Sequence, residues 1–235
     1  FLHGLLEWVG REGFAALHAA PQELATVVAR RCAARGWAAW SQPVADWLAG
    51  WLTRPLDLRA LAPQATPVRP ADLRALQVEM EFWFSARHVD VQVLDALVTA
   101  HTLDGAARPA LEPRQLHGML KGFIDLVFEH EGRYYVADYK SNRLGPGDAD
   151  YTASAMRAEV LRHRYELQYT LYLFALHRLL AARLPDYDYD VHVGGAVYVF
   201  LRGHAAPSQG LHLERPPRAL IEALDRLFTG EETLA

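Results

Sequence analysis

Cysteine and lysine are almost missing from this chain of 235 residues. Cys32 is the only cysteine, so the chain alone cannot form a disulfide, a zinc knuckle or a four-cysteine iron–sulfur cluster. Of the 24 basic residues, only Lys121 and Lys140 are lysine. A site that needs a compact ammonium group on a flexible stem cannot use arginine instead. Because both lysines fall in one short segment, Lys140 is a candidate functional residue before any motif is considered.

Long apolar runs and a large net charge are also missing. The longest apolar stretches, such as 171–176, are too short to cross a bilayer, and the chain start does not resemble a signal peptide. We therefore expect a soluble, cytoplasmic protein without a membrane partner. The net charge of -4 argues against coating nucleic acid through bulk charge, but it allows a local basic groove or a metal-assisted DNA contact.

The first third of the sequence predicts helices followed by an irregular connection. A helical pattern covers residues 2–36, and a short helix is predicted over 44–52. The stretch 54–70 contains four prolines, so we expect it to be extended rather than regular. These signals divide the predicted single domain, 1–235, into a helical N-terminal part and a core. The two parts are 1–54 and 76–235.

The rest of the sequence alternates strand and helix signals. Residues 77–84 alternate polar and apolar side chains, which predicts a strand with Glu79 and Glu81 on one face. The segment 122–141 is rich in aromatic and β-branched residues and is interrupted once, so it predicts a β-hairpin. Together they predict an α/β fold with a mixed central sheet, flanked by helices. Further elements are a helix over 91–100, one long helix or two consecutive helices over 151–184, a strand over 191–202 and a helix from Pro216 to about Phe228.

The predicted hairpin brings two carboxylates together. A turn at Glu131 and Gly132 places Asp125 opposite Asp138, with side chains about 5 Å apart. At an effective dielectric constant near 20, their repulsion is on the order of 3 kcal/mol. A sheet built only for stability would avoid this pair, so we expect a cation between them, most simply a divalent metal. Lys140 lies on the same strand face, within about 7 Å, and can reach an anion or water at that metal.

This arrangement suits phosphodiester hydrolysis. Mg²⁺ on oxygen ligands polarises a phosphate and its attacking water, while a lysine steadies the nucleophile or the developing charge. Glu79 or Glu81 on a neighbouring strand could add another oxygen ligand. The residues alone leave a second interpretation open, in which both aspartates are solvated and Lys140 pairs with one of them.

Further segments surround this pattern in a fixed order. They are VEMEF, KGFIDLVF, YYVADYKSNRLG, HRYELQYTLYLFALHR, YDYD and GGAVYVFLRG. Together they resemble the nuclease domains of the RecB family, within the PD-(D/E)xK nucleases. The resemblance runs from about His3 to Gly230 and is weakest between Arg11 and Ala75. It implies a restriction-endonuclease-like fold with an N-terminal helical annex.

The resemblance also implies roles for individual residues. Asp125, Asp138 and Lys140 match the central catalytic motif, and Glu79 matches an upstream glutamate that assists it. The implied Mg²⁺ ligands are His3, Asp125, Asp138 and the backbone carbonyl of Tyr139. Gln168 and Tyr172 match a Q-x-x-x-Y helix motif; one helical turn apart, they share a face and would position DNA or the lysine.

The function implied is Mg²⁺-dependent cleavage of DNA strands in a helicase–nuclease of the exodeoxyribonuclease V (RecBCD) type. Such an enzyme degrades linear DNA and acts in double-strand-break repair and recombination, and its partners are the helicase portion of its own subunit and other subunits. The chain has no G-x-x-x-x-G-K-[ST] phosphate loop, so we expect it to be excised from a larger subunit. Two alternatives stay open: a non-catalytic DNA-guiding or docking domain with this fold, and a stand-alone nuclease, of which the single Cys32 excludes the iron–sulfur kind.

Overall fold

A computed structural model describes residues 1–230 of the protein. It contains a five-stranded sheet with helices on both faces. The predicted boundary at residue 235 lies outside the described residues. The helices are α1 (Leu2–Glu12), α2 (Phe14–Ala19), α3 (Pro21–Ala33), α4 (Ser41–Thr53), α5 (Val91–His101), α6 (Ala153–His163), α7 (Tyr165–Arg183), α8 (Tyr189–His192) and α9 (Arg218–Thr229). The strands are β1 (Leu76–Asp90), β2 (Gln115–His130), β3 (Arg133–Lys140), β4 (Val193–Phe200) and β5 (Leu211–Glu214).

The sheet is mixed, as the sequence predicts. Its strands follow chain order from β1 to β5. Neighbours are antiparallel except β3 and β4, which are parallel. Parallel neighbours need a long crossover, and α6 and α7 supply it. None of the helices within residues 1–230 combines the length and the apolar composition that a membrane span requires.

The N-terminal helices form one layer against the sheet. Leu5 in α1 and Leu48 in α4 are fully buried in a hydrophobic cluster that includes Tyr135 and Tyr139 of β3. The proline-rich connection contains no α-helix or strand, as predicted, but it is not extended. Turns at 59–61 and 63–64 fold it back so that Leu56 bridges Val68, and its Leu58 is buried in the same cluster. These helices therefore cover the sheet face on which the odd-numbered residues of β3 lie.

The second layer, on the other face, contains α5, α6, α7 and α9. Val136 of β3 and Tyr198 of β4 are buried in its hydrophobic cluster with Leu173 of α7. Because side chains alternate along a strand, Asp138 and Lys140 lie on this same face. The two layers thus place the predicted carboxylate and lysine against α7.

The hairpin has the predicted register. Strands β2 and β3 pair from His130 opposite Arg133, beside the turn, to Leu126 opposite Ala137. Its turn residues Glu131 and Gly132 have φ angles of 52° and 77°, the positive values that favour a two-residue hairpin. The ladder ends one pair before Asp125 and Asp138, so these aspartates lie where the paired strands separate.

Strand β1 is longer than predicted and is irregular at Glu79. Residues after 84 continue to pair with the start of β2. Glu79 has a φ of 49° and is missing from the β1–β2 ladder. Val78 packs toward the N-terminal helices, whereas Met80 packs into the opposite cluster. The regular alternation that the sequence predicts therefore fails at Glu79.

The structure adds one strand to the predicted elements and decides between two predictions for residues 151–184. The short strand β5 extends the sheet beyond β4. Arg164, with a left-handed φ of 57°, separates α6 from α7, which settles the choice between one long helix and two. Its guanidinium group pairs with Asp95 and Glu166, both at 2.5 Å, and these ion pairs hold the break in place.

Candidate active site

Asp138 and Lys140 form a buried ion pair at the end of β3. Lys140 Nζ lies 2.6 Å from Asp138 Oδ2, and the two side chains are 10% and 6% exposed. Burial raises the pKa of the Asp138 carboxyl group to about 6; Lys140 opposes this shift, and the charge of Asp125 adds to it. The loss of hydration therefore affects the pKa of Asp138 more than the attraction of Lys140 does. Additional positive charge at the site would stabilise the ionised form of Asp138.

Asp125 completes the pair of carboxylates. Its Oδ2 atom accepts a hydrogen bond of 2.8 Å from the backbone N–H of Tyr139. A side chain thus satisfies a backbone donor where the β2–β3 ladder has ended. Asp125 and Asp138 line one cavity, which agrees with the predicted juxtaposition of the two acids.

Gln168 links the acid and the lysine. Its side-chain oxygen accepts a hydrogen bond of 2.8 Å from Lys140 Nζ. Its Nε2 group donates to Asp138 Oδ1 at 3.3 Å and to the Tyr172 hydroxyl at 2.7 Å. Both polar atoms of the Gln168 amide therefore bond to groups of the site. Gln168 and Tyr172 lie beside Lys140, the position that the resemblance implies for them.

Sequence reasoning missed two tyrosines beside Lys140. The Tyr198 hydroxyl donates to the Gln168 side-chain oxygen at 3.0 Å. Lys140 Nζ lies 3.9 Å from the ring centre of Tyr165 and 4.8 Å from that of Tyr198, within the range of cation–π attraction. Tyr198 pairs in register with Asp138 across the parallel strands, a relationship that the sequence does not reveal without the strand order.

His3 reaches the site from the first turn of α1. Its Nε2 atom contacts the backbone carbonyl oxygen of Tyr139 and lies 3.9 Å from Asp125 Oδ2. The side chain is 48% exposed, so the imidazole stands at the mouth of the site. Three of the groups predicted to bind metal therefore meet there.

Glu79 lies at the edge of this group. Burial raises the pKa of its carboxyl group, and the charges of Asp125 and Glu7 raise it further. Glu79 is not among the described residues that line the cavity around Asp138. Glu81 instead pairs with Lys121 at 3.1 Å, so the two glutamates predicted to share a face have different partners.

The site opens into a cavity of about 320 Å³, lined by His3, Asp125, Asp138, Tyr139, Lys140 and Gln168 among others. Carboxylate and carbonyl oxygens with one imidazole suit a divalent cation, and the raised pKa of Asp138 shows that negative charge there is poorly compensated. The donor types therefore fit a metal ion. Among residues 1–230, however, no group of three or more His, Cys, Asp or Glu side chains is arranged to hold one. The Asp138 carboxylate instead bonds to Lys140 and Gln168.

A mixed sheet that presents two acids and a lysine where two of its strands, β2 and β3, separate is typical of nucleases of the restriction-endonuclease-like class. The sequence profile of the PD-(D/E)XK nuclease superfamily matches residues 1–232. The chain belongs to this superfamily.

Within this superfamily, the chain is similar in sequence to RecB subunits. The chain is 44% identical over 194 residues to the RecBCD enzyme subunit RecB of Escherichia coli K12, covering 81% of the chain and 16% of that protein. It is 43% identical over 152 residues to the RecB subunit of Haemophilus influenzae, covering 64% and 12%. For the RecB subunit of Mycobacterium tuberculosis H37Rv the identity is 33% over 225 residues, covering 77% and 21%. The chain thus spans less than a quarter of each of these relatives.

Proposed function

We propose that this chain is the metal-dependent DNA nuclease domain of a RecBCD-type helicase–nuclease. It would hydrolyse phosphodiester bonds of DNA strands during double-strand-break repair and the degradation of linear DNA. The observation that carries this proposal is the buried Asp138–Lys140 pair, with Asp125 beside it, at an open cavity. The superfamily match and the similarity to RecB subunits support the same assignment.

Mg²⁺ is the proposed cofactor. When bound, such an ion polarises the phosphate and lowers the pKa of the attacking water. Asp138 would supply an oxygen ligand while it keeps its contact with Lys140, because a carboxylate has two oxygens and several lone pairs. Glu79 would assist through a second ion or a water molecule. The proposed ligands are His3, Asp125, Asp138 and the backbone carbonyl of Tyr139.

The chain's own residues would then direct the reaction. Water would attack the phosphorus in line and lose a proton to solvent, while the bond from phosphorus to the leaving oxygen breaks and that oxygen takes up a proton from solvent. Lys140, which Gln168 holds by its ammonium group, would orient that water or stabilise the charge that develops on the phosphate. Tyr172 and Tyr198 both bond to Gln168, so they would restrict the amide that positions the lysine.

The setting of this activity belongs to the same proposal. We propose a single domain over 1–235 that works with the helicase portion of its own subunit and with other subunits. Those partners would deliver single-stranded or unwound DNA in the cytoplasm. The net charge of -4 is consistent with partners that supply much of the DNA affinity.

Incubation of the chain with linear single-stranded DNA, with Mg²⁺ or with EDTA, tests the proposal. We expect shortened products only with the metal. DNA that is bound but stays intact under both conditions would favour a docking domain instead. RecBCD-type partner subunits are then added. If they neither stimulate nor redirect cleavage, a stand-alone nuclease is favoured.

A further inference from the structure

A second cavity, of about 560 Å³, lies beside the catalytic one. We call it the tryptophan groove, after Trp40 and Trp47, which line it together with Arg143, Asp148, Arg202 and His204. Ser141 joins the two cavities: it lines the catalytic cavity, and its carbonyl oxygen accepts a hydrogen bond of 3.0 Å from Arg202 Nε. A strand leaving the catalytic residues in this direction would enter the groove at once.

The aromatic wall of the groove is preorganised. The Trp47 indole donates a hydrogen bond of 3.1 Å to His204 Nδ1, and the two rings pack edge to face. Trp40, just before α4, is 63% exposed, and Trp47 is half-buried. The accessible part of an indole face can stack an unpaired nucleobase, whatever the sequence. A base pair within a duplex does not offer these faces, so the wall favours single-stranded DNA.

The charges of the groove suit a nucleic-acid strand. Arg143 and Arg202 are exposed and take part in no salt bridge among residues 1–230. Guanidinium groups without a carboxylate partner can bind phosphates. Asp148 is the acidic exception: its Oδ1 atom is buried and has no hydrogen-bond partner within the described chain. The charge of Asp148 would repel a phosphate, so the backbone is expected to lie at the two arginines.

We propose that the tryptophan groove binds the single-stranded DNA next to the phosphodiester that is cut. The bases would stack on Trp40 and Trp47, and the phosphates would contact Arg143 and Arg202. This inference rests on the proposed nuclease function, to which it adds a path for the strand. It assigns the arginines to the DNA backbone and the tryptophans to the bases.

Direct binding gives the first test. A labelled single strand of about 12 nucleotides is titrated with the full chain in EDTA at several salt concentrations, and Kd is read from fluorescence anisotropy. Trp40→Ala should raise Kd about tenfold, and Trp40→Phe should restore most of the affinity. Arg143→Ala with Arg202→Ala should reduce the slope of log K against log salt by about 1.4. The matched controls are Trp83→Ala, an exposed tryptophan on β1, and Arg226→Ala, an exposed arginine on α9.

Cleavage with Mg²⁺ separates this proposal from the nuclease assignment. The Trp40 variant should raise KM about tenfold while kcat stays within about twofold. If the parent cuts DNA and the groove variants bind and cut DNA equally well, this inference is overturned and the nuclease assignment stands. The groove would then be a surface for a protein partner. If the parent binds without cutting and the variants lose binding, the groove is upheld and the nuclease assignment fails. A parent that binds no single strand contradicts the groove outright.

Discussion

Lys140 donates a hydrogen bond of 2.8 Å to Gln168, a residue 28 positions further along the chain. The same amide donates to Asp138 Oδ1, so one helix side chain holds both members of the buried pair. A lysine stem is flexible, and this contact, with the rings of Tyr165 and Tyr198, restricts the positions of its ammonium group. The two lysines carry the same charge, but only the ammonium group of Lys140 is held in place by these contacts.

Gln168→Ala should lower kcat about 10- to 100-fold, the range seen when supporting contacts of a site are removed, because Lys140 loses its acceptor. Tyr172→Phe removes only the hydroxyl that Gln168 bonds, so its effect should be smaller. Steady-state kinetics on a single-stranded substrate checks this order, with KM reported separately and melting temperatures as the control for folding. Equal kcat values in the parent and in Gln168→Ala would contradict the positioning role.

The stability of the metal-free protein should depend on the ionisation of Asp138. Its folded-state pKa is raised from 3.8 to about 6, so the fold favours the protonated form. The stabilisation from this group is complete below pH 3.8 and is lost as pH rises through about 6. Two pKa units correspond to about 3 kcal/mol.

Asp138→Asn, which does not titrate, should therefore gain stability relative to the parent as pH rises from 4 to 7. Urea unfolding in EDTA across this range measures the difference between the two proteins. A difference that stays constant with pH would show that burial does not disfavour the charge of Asp138.

His3→Ala should weaken metal binding. The imidazole contacts the Tyr139 carbonyl and lies near Asp125, so its loss removes a proposed ligand and not the lysine. We expect the Mg²⁺ concentration for half-maximal cleavage to rise about tenfold or more, while activity at saturating Mg²⁺ falls less. His18→Ala, an exposed histidine in α2, is the control. An unchanged Mg²⁺ dependence in His3→Ala would remove His3 from the ligand set.

Arg164→Ala should destabilise the fold by about 3 kcal/mol or more, the cost of leaving a buried charge without its partner. Arg164 pairs with Glu166, which is fully buried, and with Asp95. Arg108 lies 3.5 Å from Glu166 and would compensate in part. Arg162→Ala, which removes an ion pair of a 67% exposed side chain, should cost less than about 1 kcal/mol. Urea unfolding of both variants checks this, and equal losses would contradict the role of Arg164 at the helix break.

Local patterns predicted the part of the site that one hairpin builds. The turn at Glu131 and Gly132 fixes the register of β2 and β3, and alternation then fixes which side chains share a face. Asp125, Asp138 and Lys140 follow from these two rules. The motif resemblance added His3 and Gln168, which come from helices distant in sequence and which no local pattern could bring to the hairpin.

The remaining features depend on long-range packing. Tyr198 reaches the site because β4 lies parallel to β3, and strand order is not a local property. Glu79 departs from alternation because its φ is positive, a conformation that a polar–apolar pattern cannot predict. The break at Arg164 is held by ion pairs with Asp95 and Glu166, and the pairing with Asp95 appears only when α5 packs beside α7.

The most direct test of the proposed activity compares the two lysines of the chain. Cleavage of single-stranded DNA is measured with Mg²⁺ and with EDTA for the parent, Asp138→Ala, Lys140→Ala and Lys121→Ala. Our account predicts metal-dependent cutting that falls at least about 100-fold in the first two variants and stays near the parental rate in Lys121→Ala. Equal cutting by the parent and all three variants, or equal losses in the two lysine variants, would contradict it.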